Sequence, residues 1–280
     1  MNGPRQLPTS SCTLFLLALC LAMLPGPARS AEPAKDTPAA TLPAKENFHL
    51  YLLIGQSNMA GRGKLDAEHA VSNERVLKFT KSNVWAQAEE PLHFDKPIAG
   101  ACLGMSFGRA MADSAGKDVT VGLIPCAVGG TPLSRWCKDG DLYKQALARA
   151  KAAMKDGTLK GILWHQGESD SGSENLAHSY RERLAKMVAD LRADLGAGDV
   201  PFVAGKLGEF LRREGKGGKP ALWPVVNEQI DALPRTLPRS AVADSAGLKD
   251  KGDKVHFDTP ALREFGNRYA AAMKKLQNAQ

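Results

Sequence analysis

The sequence predicts an α/β protein in which helices cover both faces of a mainly parallel sheet. Two observations predict this class: short apolar runs alternate with stretches of helical periodicity, and no internal repeat interrupts the alternation. A chain of 280 residues is long enough to bury a sizeable core in one domain. Its 43% hydrophobic and 24% charged residues exclude a disordered, collagen-like or coiled-coil protein.

Residues 1–30 have the composition of a secretory signal peptide. The apolar run 13–24 is followed by a Pro-Gly-Pro break and by small residues at cleavage spacing in 28–30. Twelve residues rise only about 18 Å as a helix, short of the roughly 30 Å hydrocarbon core of a bilayer. We therefore expect export to the periplasm or the medium, without a stable membrane anchor.

The remaining chain is predicted to be a Pro/Ala-rich flexible linker, 31–45, followed by one domain, 46–280. Removal of the leader lowers the net charge from +7 to +5 and leaves Cys102, Cys126 and Cys137. Export permits one disulfide, but the sequence does not choose the pair. Because lysines and arginines are dispersed, no nucleic-acid partner is expected. Nothing in the sequence indicates the oligomeric state.

Apolar runs and helical periodicity place the elements in order along the domain. The clearest helix is 174–195, where apolar residues share one stripe and Gly196 marks the stop. The last helix is predicted to begin at Thr259, a capping residue followed by proline. The predicted strands are 48–54, 76–79, 119–124, 160–165, 201–206 and 241–246, and the other predicted helices are 104–115, 142–154 and 224–233.

Polar or glycine-rich segments follow four of the predicted strands. They are 55–59, 125–131, 166–170 and 253–256. Because the carboxyl ends of parallel strands share one edge of a sheet, these segments are expected to converge there. That convergence is stronger evidence for a functional site than any of the segments alone.

Ser57, His256 and Asp253 have the residue types of a nucleophile, its base and an orienting acid. Ser57 lies at a tight strand-to-helix turn, although serine is also a common helix cap. Asp253 precedes His256 by three residues, so its carboxylate can bond one ring nitrogen and leave the other free to face Ser57. An isolated Asp-x-x-His is also compatible with an ordinary turn.

Acyl transfer also needs donors aimed at the developing oxyanion. The N–H groups of Ser57 and Gly130 are predicted donors, since glycine lets the backbone approach a substrate closely. The loop 125–131 contains no Asn or Gln, so the side chain of Gln166 is the predicted third donor. The alternatives are a plain turn at the two glycines and a locally bonded amide at Gln166.

Other chemistries lack their motifs. The sequence has no Cys-x-x-Cys, no His-Glu-x-x-His, no Walker A loop and no dinucleotide fingerprint, so neither a metal nor a cofactor is expected. His165 and Glu168 lack further ligands at metal-binding spacing. Met59 stands where a Gly-x-Ser-x-Gly elbow needs its second glycine, which argues against an α/β-hydrolase.

The four segments, in this order, resemble the blocks of the SGNH/GDSL hydrolase superfamily. The resemblance is greatest to carbohydrate esterase family 6 and the sialate O-acetylesterase-like domain, and it extends over 48–275. It implies a flavodoxin-like, three-layer α/β/α fold with about five strands, to which 76–79 would be an addition. The segments are Gly55-Gln56-Ser57-Asn58, Gly129-Gly130-Thr131, Trp164-His165-Gln166-Gly167-Glu168-Ser169 and Asp253-x-x-His256, with support from 91–95 and 104–107.

The resemblance also implies roles for individual residues. Ser57 would be the nucleophile, His256 the base and Asp253 its orienting acid. Gly130, or alternatively Gly129, would be the backbone oxyanion donor, and Gln166 stands where the wider superfamily has asparagine. Four residues are expected to brace the site or line its pocket: Asn58, Gly129, Arg135 and Glu168, with an ion pair between the last two as one arrangement. Trp136 and Trp164 would be either a sugar platform or core residues.

The function implied is that of a secreted serine esterase that removes O-acetyl groups from a carbohydrate, of the acetylxylan or the sialate type. The reaction would pass through an acetyl-enzyme on Ser57. Two alternatives remain: a non-catalytic glycan-binding module on a hydrolase fold, and an esterase for longer acyl chains. The basic segment 212–220 suits either an acidic glycan or a solvated loop.

Overall fold

The computed structural model describes residues 1–3, 38–39, 41–211 and 222–279. The chain divides into two compact units, Met1–Lys35 and Asp36–Gln280, and the elements given below belong to the second. Nearly all of the predicted signal peptide, much of the predicted linker and the basic segment 212–220 lie outside the described residues. None of the described helices is long and apolar enough to cross a membrane.

A seven-stranded sheet forms the middle layer. Its strands are β1 (Phe48–Gly55), β2 (Val76–Phe79), β3 (Trp85–Gln87), β4 (Thr120–Pro125), β5 (Thr158–His165), β6 (Phe202–Gly205) and β7 (Ser240–Ala243). The order is β3-β2-β4-β1-β5-β6-β7, and the pairings are parallel except that between β2 and β3. The central strand β1 is buried on both faces, which explains its almost unbroken apolar run.

Helices cover both faces of the sheet and complete the three predicted layers. One apolar core joins the sheet to α3, α5 and α6, and the other joins its opposite face to α2 and α7. The helices are α1 (Ser57–Ala60), α2 (Leu103–Ser114), α3 (Asp141–Ala153), α4 (Glu174–His178), α5 (Tyr180–Leu195), α6 (Trp223–Asp231) and α7 (Thr259–Asn278), and short 3-10 turns lie at Lys45–Asn47, Leu133–Arg135 and Leu233–Arg235.

Sequence and structure differ in the size of the sheet. It has seven strands rather than about five, because Val76–Phe79 pairs in parallel with β4 and Trp85–Gln87 adds an antiparallel edge. The sequence did not indicate Trp85–Gln87, since three residues are too few to show an alternating pattern.

Two predicted helix boundaries are also corrected. The predicted helix 174–195 is divided at Ser179, whose hydroxyl donates to Asn175 O at 2.6 Å and competes with the backbone ladder. Asp258, rather than Thr259, caps α7, because its carboxylate accepts from Ala261 N at 2.8 Å. The Thr259 hydroxyl donates to Lys64 O instead.

Trp136, Trp164 and the three described cysteines contribute to the packing of the fold. Trp136 and Trp164 are 1% and 0% exposed and stack edge to face at 5.7 Å, so they are core residues and not a sugar platform. The three described cysteines are free thiols. Burial raises the pKa of the Cys102 thiol to about 12, which keeps it protonated and unreactive.

Candidate active site

The polar segments that follow the strands meet at the carboxyl edge of the sheet. Gln56 N donates to His165 O at 2.8 Å, and Val128 N donates to Gly55 O at 3.0 Å, which ties three segments together. A Cβ on Gly55 would lie 2.1 Å from His165 O, and its φ of +132° suits only glycine. Glycine at this position therefore lets β1 and β5 approach closely just before Ser57.

Ser57, His256 and Asp253 form a continuous chain of hydrogen bonds. Ser57 Oγ lies 3.0 Å from His256 Nε2, and His256 Nδ1 lies 2.7 Å from Asp253 Oδ2. Ser57 is 7% exposed, whereas the His256 and Asp253 side chains are 21% and 37% exposed. The hydroxyl is thus held inside the protein while the imidazole remains open to solvent on one side.

The Asp253 carboxylate is held ionised by its own loop. Partial burial alone would raise its pKa, but hydrogen bonds from the His256 ring and from the backbone N–H groups of His256 and Val255 outweigh burial and lower the pKa to about 2. A carboxylate ionised at all ordinary pH values can orient the imidazole and stabilise it when protonated.

Asn58 clamps the backbone on both sides of His256. Its Nδ2 donates to Val255 O at 3.0 Å, and its Oδ1 accepts from Phe257 N at 3.2 Å. The same Nδ2 donates to Glu168 Oε1 at 2.6 Å. The residue after Ser57 therefore holds the loop that carries His256 through two backbone hydrogen bonds.

Glu168 belongs to a buried layer beneath this clamp. It is 2% exposed, and its Oε1 lies 3.6 Å from His165 Nε2. Burial raises the pKa of Glu168, but the contributions of His165 and Asn58 exceed that effect and leave the pKa lowered. His165 Nδ1 in turn lies 3.2 Å from the hydroxyl of Tyr269, which donates to Trp164 O. Glu168 therefore bonds to the clamp through Asn58, and none of its hydrogen bonds within the described residues goes to Ser57 or His256.

The loop 125–131 leaves one glycine N–H available. Gly129 N donates to Asp95 Oδ2 at 2.8 Å. Gly130 has a φ of +79°, and its N–H has no acceptor within the described part of the chain. A Cβ on Gly129 would lie 3.3 Å from Ser57 Cβ, so the loop packs directly against the serine. The geometry thus favours Gly130 over Gly129 as the free donor.

The structure does not support Gln166 as a third oxyanion donor. The residue is 0% exposed, and its Nε2 donates inward to Asp170 Oδ2 at 2.7 Å and to Thr131 O at 3.1 Å. Gln56 Oε1 lies 3.2 Å from the same nitrogen. With both amide hydrogens engaged, Gln166 braces the loop 125–131 from behind.

Arg135 also lies outside the arrangement that the sequence suggested, which was an ion pair with Glu168. It forms a bidentate ion pair with Asp141 on the surface, so the pairing with Glu168 is wrong. The sequence reasoning missed Arg62 and Asp95, which form a buried ion pair against Gly129. The signal for Asp95 was its place in the segment 91–95. Within the described residues, no group of three or more His, Cys, Asp or Glu is placed to hold a metal ion.

Residues 47–275 match the family described as carbohydrate esterase, sialic acid-specific acetylesterase. The chain belongs to this family. As a carbohydrate esterase it is a carboxylic ester hydrolase. A relative from Arabidopsis thaliana, named as a probable carbohydrate esterase, is 30% identical over 263 residues, which are 87% of this chain and 96% of that protein.

Solved structures agree with this assignment at the level of the fold. The X-ray structure of the same Arabidopsis protein has a TM-score of 0.73 and 29% identity, covering 82% of this esterase and 98% of that chain. NanS has a TM-score of 0.66 at 16% identity, covering 85% and 99%. A carbohydrate acetylesterase from Xanthomonas citri has a TM-score of 0.63 at 21% identity, covering 82% and 56%.

Proposed function

We propose that this carbohydrate esterase removes O-acetyl groups through an acetyl-enzyme on Ser57. The observation that carries the proposal is the hydrogen-bonded chain from Ser57 Oγ through His256 to Asp253, with distances of 3.0 Å and 2.7 Å. A serine bonded to an imidazole that is itself oriented by a carboxylate can lose its proton as it attacks a carbonyl carbon.

In the first half of the reaction, Ser57 Oγ attacks the ester carbonyl while His256 Nε2 takes the hydroxyl proton. The negative charge on the carbonyl oxygen is stabilised by the backbone N–H groups of Ser57 and Gly130. Asp253 stabilises the imidazolium. When the tetrahedral intermediate collapses, the sugar oxygen leaves with the proton from His256, and the acetyl group remains on Ser57.

In the second half, water replaces the sugar. His256 removes a proton from the water as it attacks the acetyl carbonyl, and the same two N–H groups stabilise the second oxyanion. His256 then returns a proton to Ser57 Oγ, which releases acetate. The open side of the imidazole, 21% exposed, gives water a route to this base.

A cation beside Gly130 favours a sugar that carries a carboxylate. A Cβ on Gly130 would lie 3.9 Å from Lys96 Nζ, and Lys96 is exposed and has no ion-pair partner within the described residues. A carboxylate on the sugar ring could pair with this ammonium while the ester lies at Ser57. We therefore place O-acetylated sialates ahead of acetylated xylan as substrates, in agreement with the family description.

Acetate release tests the proposal. Purified protein is incubated with O-acetylated sialosides, acetylated xylan and aryl esters of increasing chain length. We expect acetate from the sialosides and little reaction with long acyl chains. In Lys96→Met, KM should be higher for the sialosides but not for acetylated xylan. Binding of glycan without acetate release would favour a binding module, and efficient cleavage of long chains would favour a different acyl specificity.

Export is a second part of the proposal. It rests on the apolar run and the small residues of 1–30. Expression of the full chain in a secreting bacterial host, followed by mass measurement of the periplasmic or secreted product, should give a protein that lacks about the first 30 residues. Recovery of the intact chain in the cytoplasm would contradict export.

A further inference from the structure

A buried ion pair lies directly behind the oxyanion loop. Arg62 Nη2 and Asp95 Oδ2 are 2.6 Å apart, and their side chains are 2% and 0% exposed. Arg62 also donates to Gly61 O at 2.7 Å. The Asp95 oxygen that pairs with Arg62 accepts the Gly129 N–H at 2.8 Å. One carboxylate therefore joins the segment after Ser57 to the loop 125–131.

The ion pair and Ser57 enclose Gly129 from two sides. A Cβ on Gly129 would lie 2.4 Å from Arg62 Nη2 and 3.3 Å from Ser57 Cβ. The next N–H along the chain is that of Gly130, which has no acceptor within the described residues. The bond to Asp95 thus fixes the peptide immediately before the one whose N–H is without an acceptor in the described part of the chain.

Such a bond matters because two adjacent glycines have little conformational preference of their own. Other contacts fasten the loop nearby: Val128 N donates to Gly55 O, and Thr131 O accepts from Gln166 Nε2. A third bond, from the Thr131 hydroxyl to Val128 O at 2.8 Å, holds the carbonyl side of the peptide before Gly129, and Asp95 is the acceptor that holds its N–H side. Without Asp95, rotation of the peptides around Gly129 would exchange an N–H for a carbonyl oxygen, which would repel a developing oxyanion.

Charge explains why a carboxylate in this place needs Arg62. An ionised Asp95 close to the oxyanion would oppose the negative charge that forms during attack. The guanidinium at 2.6 Å neutralises the carboxylate while leaving its oxygen free to accept from Gly129. The pair therefore supplies a strong acceptor without a net negative charge.

We infer that Asp95, neutralised by Arg62, is a positioning residue that holds the Gly129–Gly130 backbone in the orientation that presents the Gly130 N–H to the oxyanion. The inference rests on the proposed function, because it assigns the means by which that site stabilises its transition state. Asp95 acts through the loop and does not contact the reacting atoms.

The test compares Asp95→Ala with Asp95→Asn. Loss of one well-placed oxyanion donor costs about 10²-fold or more in kcat, so we expect a fall of this order in Asp95→Ala, with KM changed less than about threefold. Asp95→Asn keeps an oxygen acceptor for Gly129 and should recover at least about tenfold of the lost kcat. A trifluoromethyl ketone, which forms a tetrahedral adduct with serine, should lose affinity in proportion to kcat/KM, whereas a non-hydrolysable N-acetyl analogue should not.

The chain provides a matched control in Glu90 and Arg263. Their side chains are 9% and 13% exposed, and Glu90 Oε1 accepts the Cys102 N–H at 2.8 Å, so this pair also ties a carboxylate to a backbone N–H. Glu90→Ala should lower the thermal midpoint about as much as Asp95→Ala but leave kcat within about twofold of wild type.

Three results would overturn the inference: wild-type kcat in Asp95→Ala, an equal loss of kcat in Glu90→Ala, or parallel loss of affinity for both inhibitors. If Asp95→Ala does not fold, Asp95→Asn is measured against Glu90→Gln on the same criteria. Failure of the wild-type protein to hydrolyse any acetyl ester would instead contradict the proposed function.

Discussion

The two edges of the sheet use the same strands in different ways. At the carboxyl edge, β1 and β5 lead to Ser57 and Gln166, which are buried and bonded to segments far away in the chain. At the amino edge, the same strands contribute His49 and Lys160 to an open cavity of about 530 Å³, which Arg239 also lines. The cavity is large, but the described residues that line it include no serine, threonine or cysteine.

The difference shows that the direction of the strands, and not the size of a cavity, decides where chemistry can occur. Loops at the carboxyl ends converge from several strands and bring unbonded backbone N–H groups with them. Those N–H groups, such as that of Gly130, are the donors that an oxyanion requires. Among the described residues, the amino edge offers His49, Lys160 and Arg239 at the lining of a cavity.

Ser57→Ala is the strongest test of this comparison. It removes the hydroxyl on which we propose that the acetyl-enzyme forms, so kcat with an aryl acetate should fall at least about 10³-fold. The thermal midpoint should stay close to that of wild type, because only one oxygen is lost. Full activity in this variant would mean that the reaction takes place elsewhere.

His256→Ala and Asp253→Asn test separately the proposed base and its proposed orienting acid. We expect a loss of about 10³-fold for His256→Ala and a smaller loss for Asp253→Asn. Since the pKa of Asp253 is lowered to about 2, its carboxylate stabilises the imidazolium throughout the working pH range. The reverse order of damage would refute these roles.

Asn58→Ala tests the clamp on the loop that carries His256. Loss of the bonds to Val255 O and Phe257 N should lower kcat about tenfold with little change in KM, through poorer alignment of His256. The control is Asn227→Ala, since buried Asn227 makes a similar pair of bonds to the backbone of Leu207 and has no hydrogen bond to the loop 253–256 within the described residues. Equal loss of kcat in both variants would show a general effect on stability.

Buried His93 and half-buried His49 should differ in their effect on acid stability. Burial, aided by Arg62 and Arg149 and opposed by Asp95, lowers the pKa of His93 from 6.5 to about 3. Between these values the unfolded chain binds a proton that the folded chain does not, so the free energy of unfolding should fall as the pH falls.

His93→Gln should therefore flatten the pH dependence of urea unfolding between about pH 6 and pH 4. Half-buried His49, whose pKa is also lowered chiefly by burial, should contribute less, so His49→Gln is the control. An unchanged slope in His93→Gln would contradict the assignment of this acid sensitivity to His93.

The smallest effect is expected at the amino edge itself. Lys160→Ala removes a cation from the lining of the cavity without touching the hydrogen bonds around Ser57. The value of kcat/KM for the sialoside should stay within about twofold of wild type, since surface substitutions away from a site change little. A tenfold loss would show that the cavity takes part in substrate binding and would contradict the difference described between the two edges of the sheet.

Much of the candidate site follows from local patterns. The sequence predicts the strand ends, the glycines at 55 and 130, and the three-residue spacing of Asp253 and His256, because each depends on residues that are neighbours in the chain. The sequence does not predict the break of the helix at Ser179, which depends on a competing side-chain hydrogen bond. It also does not predict the strand Trp85–Gln87, which depends on pairing with β2.

By itself, the sequence determined the α/β class, the order of the four site segments, and the residue types that an esterase needs. The tertiary structure decided which donors stay free. Gln166 turns inward because Asp170 and Thr131 offer it acceptors, and Gly129 is occupied because Asp95 reaches it from another segment. Hydrogen-bond partners that come together only when the sheet is assembled leave no periodic trace along the chain, so the fold alone reveals them.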